Sequence, residues 1–132
     1  MREPNDNVLA DMIPARAQQT PDYDVVTFEH LSLDGGATPD EVRTYADLHR
    51  NANRLAQALI DRGMERGDRF GLMMRNHPEF VEALIAASIT GAVAVPIDPR
   101  TKGEKLAFML SNAGCRGVIC ADYAFGAVAA ER

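Results

Sequence analysis

The spacing of apolar and polar positions changes period several times along the chain, and each change marks an element. In residues 7–18, Val8, Leu9, Met12 and Ile13 share one face at helical spacing, with Asn7 as the N-cap and Thr20-Pro21 as the stop. Asp24 to His30 carries strand propensity in Val25, Val26 and Phe28. Residues 31–42, with two glycines, a proline and three acids, read as the exposed loop of a long hairpin returning through Val42 to Thr44. Thr44 is then the N-cap of a long amphipathic helix, with Asp47 completing a capping box. Tyr45, Leu48, Ala52, Leu55, Ala56, Leu59 and Ile60 line the packed face, and Gly63 closes the helix.

The central pattern runs from Gly67 to Arg100. Arg69 to Met74 is a short apolar run that suits a buried strand. Pro78 begins a helix in which Asn76 as cap and Glu79 three residues on have capping-box spacing, and Gly91 ends it. That helix is apolar almost all round, with Glu82 and Ser88 as its polar positions from Phe80 on. Ala92 to Ile97 is a second apolar strand, ended by Pro96 and Pro99. Strand, crossover helix and strand make a βαβ unit, so the two strands run parallel.

A further unit follows. Thr101 and Glu104 repeat the capping-box spacing, Leu106, Met109, Leu110 and Ala113 form a stripe, Gly114 stops it, and Gly117 to Cys120 supplies a third strand. Asp122 or Tyr123 opens one more helix through Phe125, Val128 and Ala129, with no cap and no closing strand before Arg132. The expected fold class is α/β, with βαβ crossovers and an N-terminal β-hairpin. Because alternating units bury each helix under the next element, the chain is expected to be the front portion of a longer protein.

Composition narrows the partners. The 132 residues carry 19 acidic and 14 basic side chains, a net charge of -5, with no basic stripe, which argues against a nucleic-acid surface. No apolar run approaches the roughly 20 residues of a membrane span, and the first seven residues are polar where a signal peptide is apolar, so the expected location is cytoplasmic. Cys115 and Cys120 match no zinc or redox spacing. Both read as inert structural thiols, at least one of them buried.

In open α/β sheets, ligands bind beyond the carboxyl ends of parallel strands, which makes Arg75, Asn76, His77, Asp98 and Arg100 candidates by position. Each has a plainer role. Asn76 and Glu79 cap a helix, His77 before a proline is a solvated imidazole, and Asp98 with Arg100 flanks a turn or forms a local ion pair. His30 and His49 have no metal-ligand spacing, and neither a P-loop, a G-x-G-x-x-G loop nor a nucleophile elbow occurs. No catalytic, cofactor-binding or metal-binding residue is assigned.

The order of the motifs is informative. Thr44-Tyr45-x-Asp47-Leu48, then Arg62-Gly63-x-x-x-Gly67-Asp68-Arg69, then Asn76-x-Pro78-Glu79-Phe80, then Gly91-Ala92-Val93-x-Val95-Pro96-Ile97-Asp98-Pro99-Arg100 resemble the N-terminal part of the AMP-forming acyl-CoA synthetases. These belong to the adenylate-forming superfamily with peptide-synthetase adenylation domains and firefly luciferase. The resemblance runs from Val8 to Val128 and includes Thr20-Pro21-Asp22. The stretch from Gly91 to Arg100 resembles the fatty-acid, benzoate and carnitine-type CoA ligases more than the amino-acid branch.

The resemblance implies that residues 1–132 are an incomplete N-terminal part of the large domain, a partial three-layer unit. It also implies a full-length enzyme that converts a carboxylic acid and ATP, with magnesium, to an acyl-adenylate and pyrophosphate, then passes the acyl group to coenzyme A. The family's Ser/Thr/Gly-rich loop with its Lys, its acidic and aromatic motifs and the Lys of its mobile C-terminal domain have no matching positions here. The piece alone is therefore expected to be inactive, with the acid substrate unspecified. The alternative is a freestanding α/β binding or interaction module. Apolar surface left bare on Phe80 to Ile89, or around Phe125 and Val128, is expected to favour homo-oligomers.

Overall fold

The computed structural model describes residues 2–131 apart from 33 and 37, so those two positions of the expected hairpin loop lie outside the described residues. The elements in chain order are α1 (Leu9–Gln19), β1 (Asp24–Phe28), β2 (Glu41–Thr44), α2 (Tyr45–Asp61), β3 (Arg69–Met73), α3 (Pro78–Thr90), β4 (Val93–Pro96), α4 (Gly103–Ala113), β5 (Cys115–Cys120) and α5 (Asp122–Ala129). β1 and β2 pair antiparallel, with Thr27 opposite Val42 and Phe28 opposite Glu41. β3 is the centre of a parallel sheet in the order β4-β3-β5.

Alternation along β3 divides the core. Phe70, Leu72 and Met74 pack with Ala56 and Leu59 of α2 and Ala83, Ala86 and Ala87 of α3. Met73 points the other way and meets Leu106 of α4 and Ala124 of α5. Helices therefore cover both faces of the sheet, giving the expected three layers. Gly71 lies where α4 comes closest: a Cβ built there would stand 3.1 Å from Leu110 and 3.3 Å from Val118. A third cluster, Ile13, Leu48, Ala52 and Ile85, fastens α1 onto α2 and α3. Among the described residues no helix is long and apolar enough to cross a membrane.

Helix ends show where local pattern and structure part. The Thr44 box forms: Thr44 Oγ1 accepts from the Asp47 amide at 3.1 Å and Asp47 Oδ2 accepts from the Thr44 amide at 3.0 Å. Gly91 and Gly114 close their helices in the left-handed region, at φ 73° and 65°.

Three expected caps do not form. α1 is preceded by Val8 rather than Asn7, and the free Ala10 amide instead donates to Ser88 Oγ of α3 at 3.1 Å. α3 takes His77 as its N-cap, because Pro78 sets the first helical turn one residue past Asn76. Asn76 is thus left exposed and out of register with Glu79. α4 likewise starts after Lys102, one residue beyond Thr101, so Glu104 has no hydroxyl to exchange with. The cysteines differ too. Cys115 begins β5 instead of preceding it, and neither thiol is fully buried. Desolvation nonetheless holds both above the ordinary thiol range, for Cys115 against the opposing charge of Arg69.

Candidate functional site at the carboxyl end of the parallel sheet

The chain leaves β3 into α3 on one face of the sheet and leaves β5 into α5 on the other. Adjacent strands whose connections diverge in this way open a crevice at their carboxyl ends, the position where doubly wound sheets hold ligands. Here the crevice is a cavity of about 610 Å³. Leu55, Met74 and Ile119 supply apolar lining, His77 and Tyr123 supply aromatic lining, and Asn51, Arg54, Glu79, Glu82 and Asp122 are the polar and charged groups.

Tyr123, on the first turn of α5, organises one side. Its hydroxyl accepts from the Arg75 amide at 2.6 Å and lies 3.0 Å from His77 Nε2. The Arg75 guanidinium carbon sits 4.9 Å from the centre of the Tyr123 ring. His77 is not a solvated imidazole: its ring is half-buried, 5.5 Å from Phe28 of the hairpin and 6.0 Å from Tyr123. The imidazole therefore joins β1, the β3–α3 turn and α5. Three aromatic rings in a row make a wall, and the pairing of hydroxyl with imidazole fixes its geometry.

The opposite flank is held by charge. Glu82 is buried in α3, and its Oε1 accepts from Arg43 Nε at 3.0 Å and from Asn51 Nδ2 at 2.8 Å. Arg43 also reaches Glu41 at 3.3 Å and Glu79 at 3.5 Å. Burial works against the Arg43 charge, but hydrogen bonds to Glu82 and Glu41 outweigh it and hold the guanidinium above its ordinary value. Glu79 thus binds the hairpin instead of capping its own helix.

The sequence candidates are divided between two places. Arg75 and Asn76 line an open cleft with Asp98 and Arg100 between the ends of β3 and β4, whereas His77 faces the cavity beside β5. Asp98 and Arg100 do form the local ion pair, with Arg100 Nη2 at 2.7 Å from Asp98 Oδ2 and the Arg100 amide at 2.9 Å from Oδ1. The Arg100 side-chain and amide hydrogen bonds hold the Asp98 carboxyl far below the usual carboxylate range. Each of the two thus spends its charge on the other.

Among the polar members of the site, Asn51, Arg54, Glu82, Asp122 and Tyr123 are not sequence candidates. The strand-end rule points to Asp122 and Tyr123, which stand just beyond the carboxyl end of β5. The Arg43–Glu82 pair has no comparable signal, since 39 positions separate the partners. Among the described residues no group of three or more His, Cys, Asp or Glu is placed to hold a metal ion.

Comparison with known proteins agrees with this architecture. Residues 13–132 match the family profile described as AMP-binding enzyme. The chain is 32% identical over 121 residues to nonribosomal peptide synthetase NPS2 of Ceriporiopsis subvermispora, covering 89% of this chain and 5% of that protein. It is 42% identical over 76 residues to long-chain-fatty-acid–CoA ligase FadD13 of Mycobacterium tuberculosis, covering 58% of this chain and 15% of that one. A solved Mycobacterium tuberculosis fatty acyl CoA synthetase superposes with a TM-score of 0.76 at 30% identity, over 97% of this chain and 24% of its own. The chain thus spans a small part of the length of these relatives. With a profile match across nearly all of its length and the same fold as these ligases, it belongs to the AMP-binding enzyme family, the adenylate-forming ligases.

Proposed function

We propose that this chain is the N-terminal part of a carboxylic acid–CoA ligase of the AMP-forming type, and that it acts as a supporting wall for an active site completed by other segments. The observation that carries the CoA-ligase reading is the 42% identity to FadD13 over 58% of this chain, together with the Gly91 to Arg100 stretch. In the reaction so assigned, the acid attacks the α-phosphorus of ATP to give acyl-adenylate and pyrophosphate, and the thiol of coenzyme A then displaces AMP.

A triphosphate and its magnesium need converging cationic and backbone donors. The cavity beside β5 sets one arginine, Arg54, against Glu79, Glu82 and Asp122, and Arg100 beyond β4 is neutralised by Asp98. These residues do not fit a nucleotide phosphate, and no step of the adenylation is assigned to them. Under this reading, ATP with magnesium leaves the melting temperature of the 132-residue chain unchanged, because only ligands that bind the folded state raise it. A dose-dependent rise would refute the assignment.

A second reading is favoured by a different observation. The match to the peptide synthetase NPS2 is lower in identity and covers more of the chain, which points to an amino-acid adenylating enzyme. Reading the coding frame past Arg132 and assaying pyrophosphate release by the complete product separates the two. Turnover with fatty or aromatic acids, followed by acyl-CoA formation, supports the ligase; turnover with amino acids alone supports the synthetase. A stop codon directly after Arg132 would favour a freestanding module over both.

A further inference from the structure

The connection between β1 and β2 carries a chemistry of its own, away from the parallel sheet. Asp34-Gly35 is the one place in the sequence where an aspartate or asparagine precedes a glycine. In such a pair the side-chain carboxyl carbon and the next backbone nitrogen are the ends of a five-membered ring, and glycine, having no Cβ, leaves that nitrogen unshielded. Gly35 is exposed at φ 72°, with no heavy atom within 4 Å of the place that a Cβ would take.

Several other aspartates are tied down. Asp11, Asp47, Asp68 and Asp98 each pair with an arginine. An arginine fixes the direction of a carboxylate and keeps it ionised, and both effects oppose ring closure, which needs a protonated carboxyl turned back onto the chain. Among the described residues no arginine does this at Asp34, which is exposed and whose amide donates to Ser32 Oγ at a long 3.4 Å. Exposed loop positions of this kind are where a backbone has the freedom to react.

The reaction balances without a further reagent. The Gly35 nitrogen attacks the protonated Asp34 carboxyl, a C–N bond replaces the C–OH bond, and water leaves with the amide proton. Water then reopens the ring. Addition at the side-chain carbonyl restores aspartate; addition at the backbone carbonyl breaks the original peptide bond, so that the chain runs through the side-chain carbon with one more methylene and a free α-carboxylate. The hairpin can hold that product. His30 Nε2 lies 3.4 Å from Glu41 Oε2 at the neck of the loop, Phe28 stands opposite Glu41, and Arg43 is bound to Glu82, all on the body side of Asp34. A slightly longer loop beyond that neck costs little, because closure entropy grows only with the logarithm of loop length.

We propose that Asp34-Gly35 is a modification site: the folded chain converts to isoaspartate at position 34 with its hairpin intact, and the α-carboxylate so freed is a substrate for a carboxyl methyltransferase that recognises isoaspartyl residues. In that second step a carboxylate oxygen takes the methyl group of S-adenosylmethionine and S-adenosylhomocysteine leaves. The test ages the 132-residue chain in mildly acidic buffer beside a free peptide of residues 29–41. Position 34 is read by electron-transfer mass spectrometry and by uptake of tritiated methyl from S-adenosylmethionine with such a methyltransferase. The expected result is isoaspartate at 34 in the chain, formed within a few-fold of the peptide's rate and matched by methyl uptake, with an unchanged circular dichroism spectrum. Asp34→Glu, whose longer side chain would have to close a six-membered ring, should lose both signals, and Gly35→Ala, whose methyl crowds the nitrogen, should slow them severalfold. A position 34 that stays unchanged while the peptide converts, isoaspartate that arises first at another aspartate, methyl uptake that survives Asp34→Glu, or unfolding in step with conversion overturns the proposal.

Discussion

The Arg75 amide donates to the Tyr123 hydroxyl at 2.6 Å, and this bond ties the end of the central strand to the first turn of the last helix. Tyr123→Phe keeps the ring against His77 and Arg75 and removes the hydroxyl, with its bond from the Arg75 amide and its contact with His77 Nε2. Tyr123 is 46% exposed, so water can replace the lost partner, and the expected cost is under about 1 kcal/mol. The clearer readout is local: amide exchange at Arg75 should quicken relative to that at Leu72, whose strand neighbours are unchanged. Equal protection of Arg75 in both proteins would show that the hydroxyl contributes nothing there.

Removing Arg43 tests the buried charge. Arg43→Met strands Glu82 in α3 with only Asn51 as partner. Breaking a buried pair costs about 3–5 kcal/mol, and because Arg43 keeps some access to water the expected loss is about 2–3 kcal/mol in urea unfolding. Adding Glu82→Gln should recover part of it, since the amide needs no counter-charge. If Arg43→Met is neutral, the hairpin is not held by this pair.

These two relationships also show how far the sequence could be read. The strand, helix and strand from Arg69 to Ile97 were legible because period, helix length and glycine stops are local signals, and β3, α3 and β4 follow them within one or two residues. Caps were less so. Thr44 and Asp47 meet through one carboxylate oxygen while Arg50 takes the other, whereas Pro78 shifts the start of α3 past Asn76 and gives Glu79 to Arg43. The cavity wall is a tertiary product. Phe28, His77 and Tyr123 come from three segments, and only the fold, with β5 beside β3, brings the last of them into reach.

Gly71 measures how closely α4 approaches the sheet. An alanine methyl there would meet Leu110 at 3.1 Å and Val118 at 3.3 Å, and with Leu110 and Val118 both partly buried against the core, the expected cost of Gly71→Ala is about 1 kcal/mol. Gly117→Ala is the control on the neighbouring strand, since nothing lies within 4 Å of its Cβ position. The control should be neutral or slightly stabilising, because alanine narrows the unfolded ensemble. Similar melting temperatures for the two variants would mean that the helix gives way at no cost.

The capping box at the head of α2 gives a pH dependence with a definite sign. The Thr44 amide, then Arg50 at 2.6 Å, hold the Asp47 carboxyl below its ordinary value of 3.8. A carboxylate whose folded pKa is depressed contributes stability that is complete above the unfolded value and is lost as pH falls through the folded one. In the native chain this contribution should be intact at neutral pH and fade below about pH 4. Thr44→Ala removes one half of the box and should cost about 1 kcal/mol at neutral pH. Asp47→Asn keeps much of the shape without the charge, so its deficit relative to the native chain should shrink on acidification, as the native carboxyl takes up its proton. Urea midpoints of the native chain and Asp47→Asn across the acid range decide the matter: a deficit that stays constant as Asp47 titrates would mean that the charge on this cap adds nothing to stability.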